Sequence, residues 1–475
     1  MSHVRHPRAR ARRRLRLVLA GVALAVIVAV VLVVTLTGSG LSGAPPAANA
    51  PETGAGELFH YDAAASAQYS ARATAGNGQV LFSKSPGGAI ATAKRVAALE
   101  PMIEHAVAGT NIPASALAGL VFLESAGLPD AVVGDDPANA AGLTQILPST
   151  ASLLHMHVDV SSSRRLLAEI TRAPNATRLR SLQRQLQAAD QRFDPADALA
   201  GTVRLLQQFE GMFGGRLDLA VTAYHMGPGN MQQILADYDG GKAVPYVQLY
   251  FDTAPDHSGS AYRLLSNLGD DSSLYWWRVL GAEQIIHLYR SDRSALARLQ
   301  TLETSDAAGG SVLHPPGRAP RYASPSALQA AYTAGRLIRL PRNATALGLA
   351  YDASIGSQAG HIGAPRSLYE GLSPGAIKLL IRMAAAVRTL SGGPSPLHVA
   401  SAVADGRYLS AQGAYDPMAQ TGFGFQIARR YRSGSQAAAF QAVLDRLQSL
   451  NLIAWAPVGS VIEVTAASDA GAWRG

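Results

Sequence analysis

The stretch LAGLVFLESAG, residues 117–127, decides how this chain folds. Leu117, Leu120, Val121 and Glu124 fall at i, i+3, i+4 and i+7, the spacing of one buried helical face. A carboxylate therefore sits on the apolar stripe of a helix. Burial disfavours its charged form, so its pKa should rise and it can hold a proton near neutrality, as a general acid must. A structural Glu paired with a buried Arg would leave the same pattern, and this segment alone does not separate the two. Gly127 and Pro129 turn the chain away directly after Glu124 and Ser125. The turn places the carboxylate at the rim of a cleft, with Ser125 within reach of it or of a ligand.

Two further segments lie downstream. In AGLTQILPSTA, residues 141–151, a small residue and a Gly let backbone approach a ligand closely. Gln145 offers both a donor and an acceptor, suited to an N-acetyl or hydroxyl group. An ordinary hairpin and helix cap would read the same way. In AYHMGPGN, residues 223–230, a rigid Gly-Pro-Gly turn follows the apolar helix LDLAVTAY and fixes whatever precedes it. Tyr224 ends that helix, where a phenol can hydrogen-bond a carboxyl group or stack on a sugar. Alone, this segment is a helix stop.

In this order the three segments resemble the soluble (Slt-type) lytic transglycosylases of the lysozyme-like superfamily. Their motifs read E-S, then G-L-M-Q-(I/L)-M-P-x-T-A, then A-Y-N-x-G-P-G. The resemblance covers about residues 91–299. It implies a helical domain that cleaves peptidoglycan glycan strands without metal or cofactor. Carried over residue by residue, it implies Glu124 as catalytic acid and base, with Ser125, Gln145 and Tyr224 as substrate ligands. The family has one more Tyr, in a Y-x-x-(R/K)-V context, which Tyr275 in YWWRV (275–279) fits better than Tyr246 or Tyr250. Thr144 stands where the family has Met, and His225 where it has Asn; neither removes the acid. His225 either adds pH sensitivity or serves packing.

Retaining and inverting glycosidases need two carboxylates about the scissile bond. Asp130, Asp135 and Asp136 lie between the motifs, but nothing fixes them opposite Glu124. The resemblance implies a single Glu that protonates the oxygen between N-acetylmuramic acid and N-acetylglucosamine. The same Glu then takes a proton from the muramic C6 hydroxyl, which closes a 1,6-anhydro ring. That nucleophile is intramolecular, so no water need be positioned. A hydrolytic muramidase on the same fold, or a wall-binding scaffold without turnover, are the competing expectations.

The chain has 475 residues, 48% hydrophobic, enough for two domains with substantial cores. Its formal charge is +8, but residues 1–16 carry seven Arg and no acid. Taking those seven from 41 basic residues leaves 34 against 33 acidic ones, which argues against a nucleic-acid partner. There is no Cys, so disulfides and thiolate chemistry are excluded. Residues 17–36 carry no charge and as a helix would extend about 30 Å, the thickness of a bilayer core. With the Arg cluster before the span, the N-terminus should stay in the cytoplasm and the catalytic domain lie outside a single-pass inner-membrane anchor. A cleaved signal peptide competes, but the apolar run is long for one and the A-x-A site at 48–50 sits well beyond it.

The expected fold is mainly α. It comprises a basic tail (1–16), an anchor (17–36), a flexible Gly/Ser/Ala/Pro linker (37–90) and a lysozyme-like helical domain (91–300) with a polar insertion at about 152–190. A second linker (301–321) and an α+β domain (322–475) complete it. In the last domain a helix should begin at Ser373-Pro374 and a second run from about 436 to 450, with strands at HVASAV and VIEVTA. This domain faintly resembles zinc D-Ala-D-Ala carboxypeptidases of the peptidase M15 type. The three zinc-ligand positions, Ala419, Gln426 and Glu463, are all altered, so the resemblance implies a domain without its metal; the competing expectation is an α+β module of no assigned family. The Asn-x-Thr triplets at Asn175 and Asn343 are expected to be accidental.

Overall fold

A computed structural model describes residues 61–269, 271–305, 308–313, 319–394 and 396–473. The expected membrane span at 17–36 and the basic tail before it lie outside these residues. Among the described residues no helix is long and apolar enough to cross a membrane. Among these residues helix dominates, and the strands lie beyond residue 337. The chain divides into two units that do not follow chain order: residues 80–231 with 267–297, and 61–79 with 232–266 and 298–473.

The first unit is helical. Its helices include α1 (Ala89–Ala97), α2 (Ala114–Ser125), α3 (Val160–Thr171), α4 (Ala176–Ala189), α5 (Pro195–Met212), α6 (Leu217–Met226) and α7 (Tyr275–Ser291). The spacing in 117–127 suggests one buried stripe on α2. Instead Ala116 through Phe122 and Ser125 are all buried, which is how a helix apolar on every side packs, at the centre of a core. α7 lies along it, and Gly119 permits the approach: a Cβ there would sit 2.8 Å from the Val279 carbonyl oxygen. α2 ends before Pro129, at Ala126, which takes the left-handed conformation (φ 54). Arg95 Nε covers the freed Ala126 carbonyl at 2.7 Å.

The polar stretch expected as an insertion forms two helices, α3 and α4, that pack on each other. Asp159 caps α3 and Asn175 caps α4, each accepting a backbone N–H of the first turn. Their apolar faces, Leu166, Ile170, Leu182 and Leu186, bury against Ala141 and Phe193. The hairpin is thus anchored on the loop that carries Gln145.

Asp190 and Arg192, just after α4, are both fully buried. The guanidinium donates to Asp190 through Nε (3.0 Å) and Nη2 (2.7 Å), a bidentate fork. It also donates to the carbonyls of Pro137, Asn139 and Ile146 at 2.7, 2.9 and 3.2 Å. Asp190 in turn accepts from Ser163 of α3. Gly142 completes the join: its φ is +83 and a Cβ would lie 1.7 Å from the Arg192 carbonyl oxygen. The sequence suggests that small residues here admit a ligand; what they admit is the Arg192 backbone.

In the second unit, order reaches into both stretches expected as linkers. Ser66–Lys84 is a helix, and Tyr69 packs its ring 5.0 Å from those of Phe251 and Trp473. Val312 and Leu313 are likewise buried. Ala- and Gly-rich composition hid these elements, because small residues that pack closely read as linker. Arg446 lies over the Tyr250 ring at 4.4 Å and donates to the Thr253 carbonyl at 2.8 Å.

The remainder of this unit is α+β. Strands β1 (Ile338–Arg339) and β3 (Gly371–Leu372) pair separately. The strands β2 (Leu349–Tyr351), β4 (Leu397–Ser401), β5 (Gly424–Ala428), β6 (Ile453–Val458) and β7 (Val461–Ala466) form a sheet in the order β2-β4-β5-β7-β6. Only the β2–β4 pair is parallel. Helix α8 (Pro374–Ser391), capped by Ser373 as the Ser-Pro pair suggests, packs on α9 (Gly434–Ser449). Val399, Ile427, Ile462 and Val464 are buried, while Ser401, Gln426 and Glu463 between them are half-buried.

Removing one partner of a buried, hydrogen-bonded pair leaves an uncompensated charge, at about 3–5 kcal/mol. Arg192→Met is therefore expected to lower unfolding free energy by about that amount in urea titrations. Arg178→Met breaks an exposed pair with Glu169 (2.7 Å) and should cost under about 1 kcal/mol. Equal losses would show that the buried fork does not hold the loop.

Candidate active site

Three helix ends and one turn converge in the first unit. Glu124 sits in the last turn of α2, Tyr224 and His225 in the last turn of α6, and Tyr275 opens α7. The Tyr275 hydroxyl donates to Glu124 Oε1 at 2.5 Å. Packing α7 on α2 across Gly119 brings these two residues together although 151 positions separate them. Burial pushes the Glu124 carboxyl above the ordinary Glu range, while the His225 charge and the Tyr275 hydrogen bond pull it down. The negative end of α2 acts with burial. Burial and then the Glu124 charge raise the phenols of Tyr224 and Tyr275, so both remain hydrogen-bond donors.

Tyr224 donates to the Thr144 carbonyl at 2.6 Å, and the Thr202 hydroxyl donates to the Thr144 hydroxyl at 2.8 Å. Both threonines are fully buried. Gln145 occupies the left-handed region (φ 52). Its amide nitrogen donates to the Gly142 and Ala131 carbonyls at 2.8 and 3.2 Å. Both neighbours are carbonyl oxygens, so nitrogen must face them and only Oε1 is left for a ligand. His225 stacks on Tyr275, with ring centroids 4.7 Å apart and planes at 25°. Its Nδ1 lies 2.7 Å from Ser272 Oγ.

The sequence expectations fare unevenly against this geometry. Glu124 and Tyr275 are joined directly, and Tyr224 meets the Gln145 loop. Ser125 is buried, and its hydroxyl donates to the Val121 carbonyl of its own helix at 3.3 Å, not to Glu124. Gln145 contributes an acceptor in place of the expected donor and acceptor. Tyr246 and Tyr250 belong to the second unit, where Tyr250 hydrogen-bonds Ser449. Asp130 and Asp135 are exposed, and Asp136 pairs with Arg164 at 2.7 Å. Sequence reading missed Thr202, Ser272, Asp190 and Arg192; only the Thr at 144, out of place in its motif, hinted at a polar partner. In the second unit Gln426 and Glu463 are hydrogen-bonded neighbours at 3.0 Å. Ala419 is buried in a short turn of helix.

Residues 101–244 match the family model of the Transglycosylase SLT domain. This segment contains Glu124, Gln145, Tyr224 and His225, and the match supports a lytic transglycosylase that acts on peptidoglycan. No curated protein and no solved structure matches the chain.

A carboxyl whose folded pKa lies above its unfolded value of about 4.3 contributes stability below that value and loses it as pH rises through the folded pKa. Burial gives Glu124 this direction. The melting temperature of Glu124→Gln should therefore gain on that of the unaltered chain as pH increases above about 4. A gap independent of pH would mean that Glu124 is not desolvated.

Proposed function

We propose that the chain is a peptidoglycan lytic transglycosylase in which Glu124 acts alone, first as acid and then as base. One observation carries this reading. Glu124 has a raised proton affinity and a hydrogen bond from Tyr275, and the sequence candidates for a second carboxylate are exposed (Asp130, Asp135) or paired with Arg164 (Asp136). A water-activating base of the inverting kind, or a carboxylate nucleophile of the retaining kind, would have to come from such a second group.

In the proposed reaction, protonated Glu124 donates to the oxygen linking N-acetylmuramic acid to N-acetylglucosamine. As that bond breaks, positive charge develops at the muramic C1, where the substrate's own acetamido oxygen stabilises it. The resulting Glu124 carboxylate accepts the proton of the muramic C6 hydroxyl, whose oxygen attacks C1. The proton ends on Glu124 and the product carries a 1,6-anhydro ring. Tyr275 favours the carboxylate between the two steps by donating to it. Tyr224 and the Thr144–Thr202 pair hold the loop from which Gln145 Oε1 can accept a hydrogen bond from an amide or hydroxyl of the sugar. Residues 17–36 anchor the chain in the inner membrane with the catalytic unit outside, a reading supported by the uncharged run and the Arg cluster before it.

Digestion of murein sacculi followed by mass spectrometry tests the reaction. Anhydro-muropeptides are expected; hydrated reducing ends would make the protein a muramidase, and no product would make it a scaffold. Glu124→Gln should lose the roughly 10²–10⁴-fold that proton transfer contributes, or more, while still binding glycan. Tyr275→Phe and His225→Asn each remove an influence that lowers the Glu124 pKa. The limb of the pH–rate profile set by Glu124 deprotonation should move to higher pH in both. An unmoved limb would detach these residues from the acid.

A further inference from the structure

In the second unit one face of the five-stranded sheet floors a cleft of about 750 Å³, within the size range of small-ligand sites. Ser401, Gln426 and Glu463 stand in register across β4, β5 and β7 and line it. Gln426 Nε2 donates to Glu463 Oε1. Asp416 lines the same cleft, and one of its oxygens accepts from the backbone N–H groups of Met418 and Ala419. Burial and the Asp416 charge both raise the Glu463 carboxyl. Among the described residues neither Asp416 nor Glu463 forms an ion pair, whereas Asp352 at the margin pairs with Arg430 at 3.3 Å. The floor therefore has more acceptors than donors. Tyr415, 79% exposed, also lines the cleft.

Ligand classes can be eliminated in turn. Arg429 and Arg430 also line the cleft, but Arg430 pairs with Asp352 and Arg429 donates to the Gly459 carbonyl, so an anion on the floor would face the carboxylates of Asp416 and Glu463. An apolar ligand would strip water from them without replacing its hydrogen bonds. A metal ion would lack a third ligand, since no group of three His, Cys, Asp or Glu is gathered among the described residues. A peptide added as a strand needs a free sheet edge, but β4, β5 and β7 are interior strands. What remains is a ligand that donates to the carboxylates, either an amine or a neutral molecule rich in hydroxyls, and the exposed phenol ring, which takes a sugar's apolar face, favours the latter.

We propose that this cleft binds a neutral saccharide, whose hydroxyls donate to Glu463 and Asp416 and whose ring face lies on Tyr415. The site is separate from Glu124 and does not depend on what Glu124 does. Calorimetric titration of the full chain carrying Glu124→Gln with a β-1,4-linked N-acetylglucosamine tetramer tests it. Adding Tyr415→Ala or Glu463→Gln should weaken one class of binding by about tenfold or more. Tyr415 is exposed and Gln is isosteric with Glu, so both variants should fold. In chains that keep Glu124, the same two changes should leave cleavage of a soluble glycan unchanged. Tetramer binding indifferent to both substitutions would overturn the proposal. So would a Glu463-dependent site that takes a peptide bearing a free amine and refuses the tetramer.

Discussion

The bidentate fork between Asp190 and Arg192 is the interaction on which the candidate site rests. A guanidinium out of water needs every donor satisfied, and this one holds its acceptors on both sides of a loop. Pro137, Asn139 and Ile146 are thereby fixed relative to each other, and Thr144 and Gln145 lie between them. Tyr224 can reach the Thr144 carbonyl only if that loop stands where the fork holds it. The α3–α4 hairpin joins the same network through Ser163, so a segment that reads as decoration is part of the support.

A second constraint concerns proton affinity. In the proposed reaction Glu124 is first acid and then base, and such a group works best when neither state is strongly preferred. Burial of Glu124 among the apolar residues of α2 favours the proton; Tyr275 and the charge on His225 favour its loss. These influences come from different parts of the chain: α2 buries the carboxyl, α7 brings the phenol and α6 brings the imidazole. Gly119 links them, because without it α7 could not lie close enough for a bond of 2.5 Å.

Much of this was legible in the sequence, for identifiable reasons. Glu124 lies at helical spacing from apolar neighbours, and Ser373-Pro374 and the alternating VIEVTA carry local codes for a helix start and a strand. Tyr275 could be singled out only through its motif, since nothing local tells a phenol that meets a carboxylate from one that fills a core. The Ser66–Lys84 helix escaped because Ala and Gly that pack tightly look like Ala and Gly that pack nowhere. Arg192 escaped for another reason: a buried cation is defined by partners at 137, 139 and 146, and sequence spacing does not encode those meetings. Ser125 shows the limit of adjacency: it follows Glu124 in sequence, but its hydroxyl turns back onto the Val121 carbonyl of its own helix.

The two departures from the family motif now have local explanations, and both work in pairs. Thr in place of Met at 144 would bury an unsatisfied hydroxyl, a cost of about 1–3 kcal/mol. Thr202 on α5 supplies the matching hydroxyl at 2.8 Å. His in place of Asn at 225 exchanges a small amide for a flat ring, which stacks on Tyr275 and meets Ser272 on the segment leading into α7. Each substitution is therefore half of a contact, and its other half lies far along the chain. Replacing Thr144 alone by Met should remove the hydroxyl to which Thr202 donates and crowd a fully buried position. Restoring the family residue there requires changing Thr202 as well, and the two changes should be strongly non-additive, as expected for residues that share one hydrogen bond.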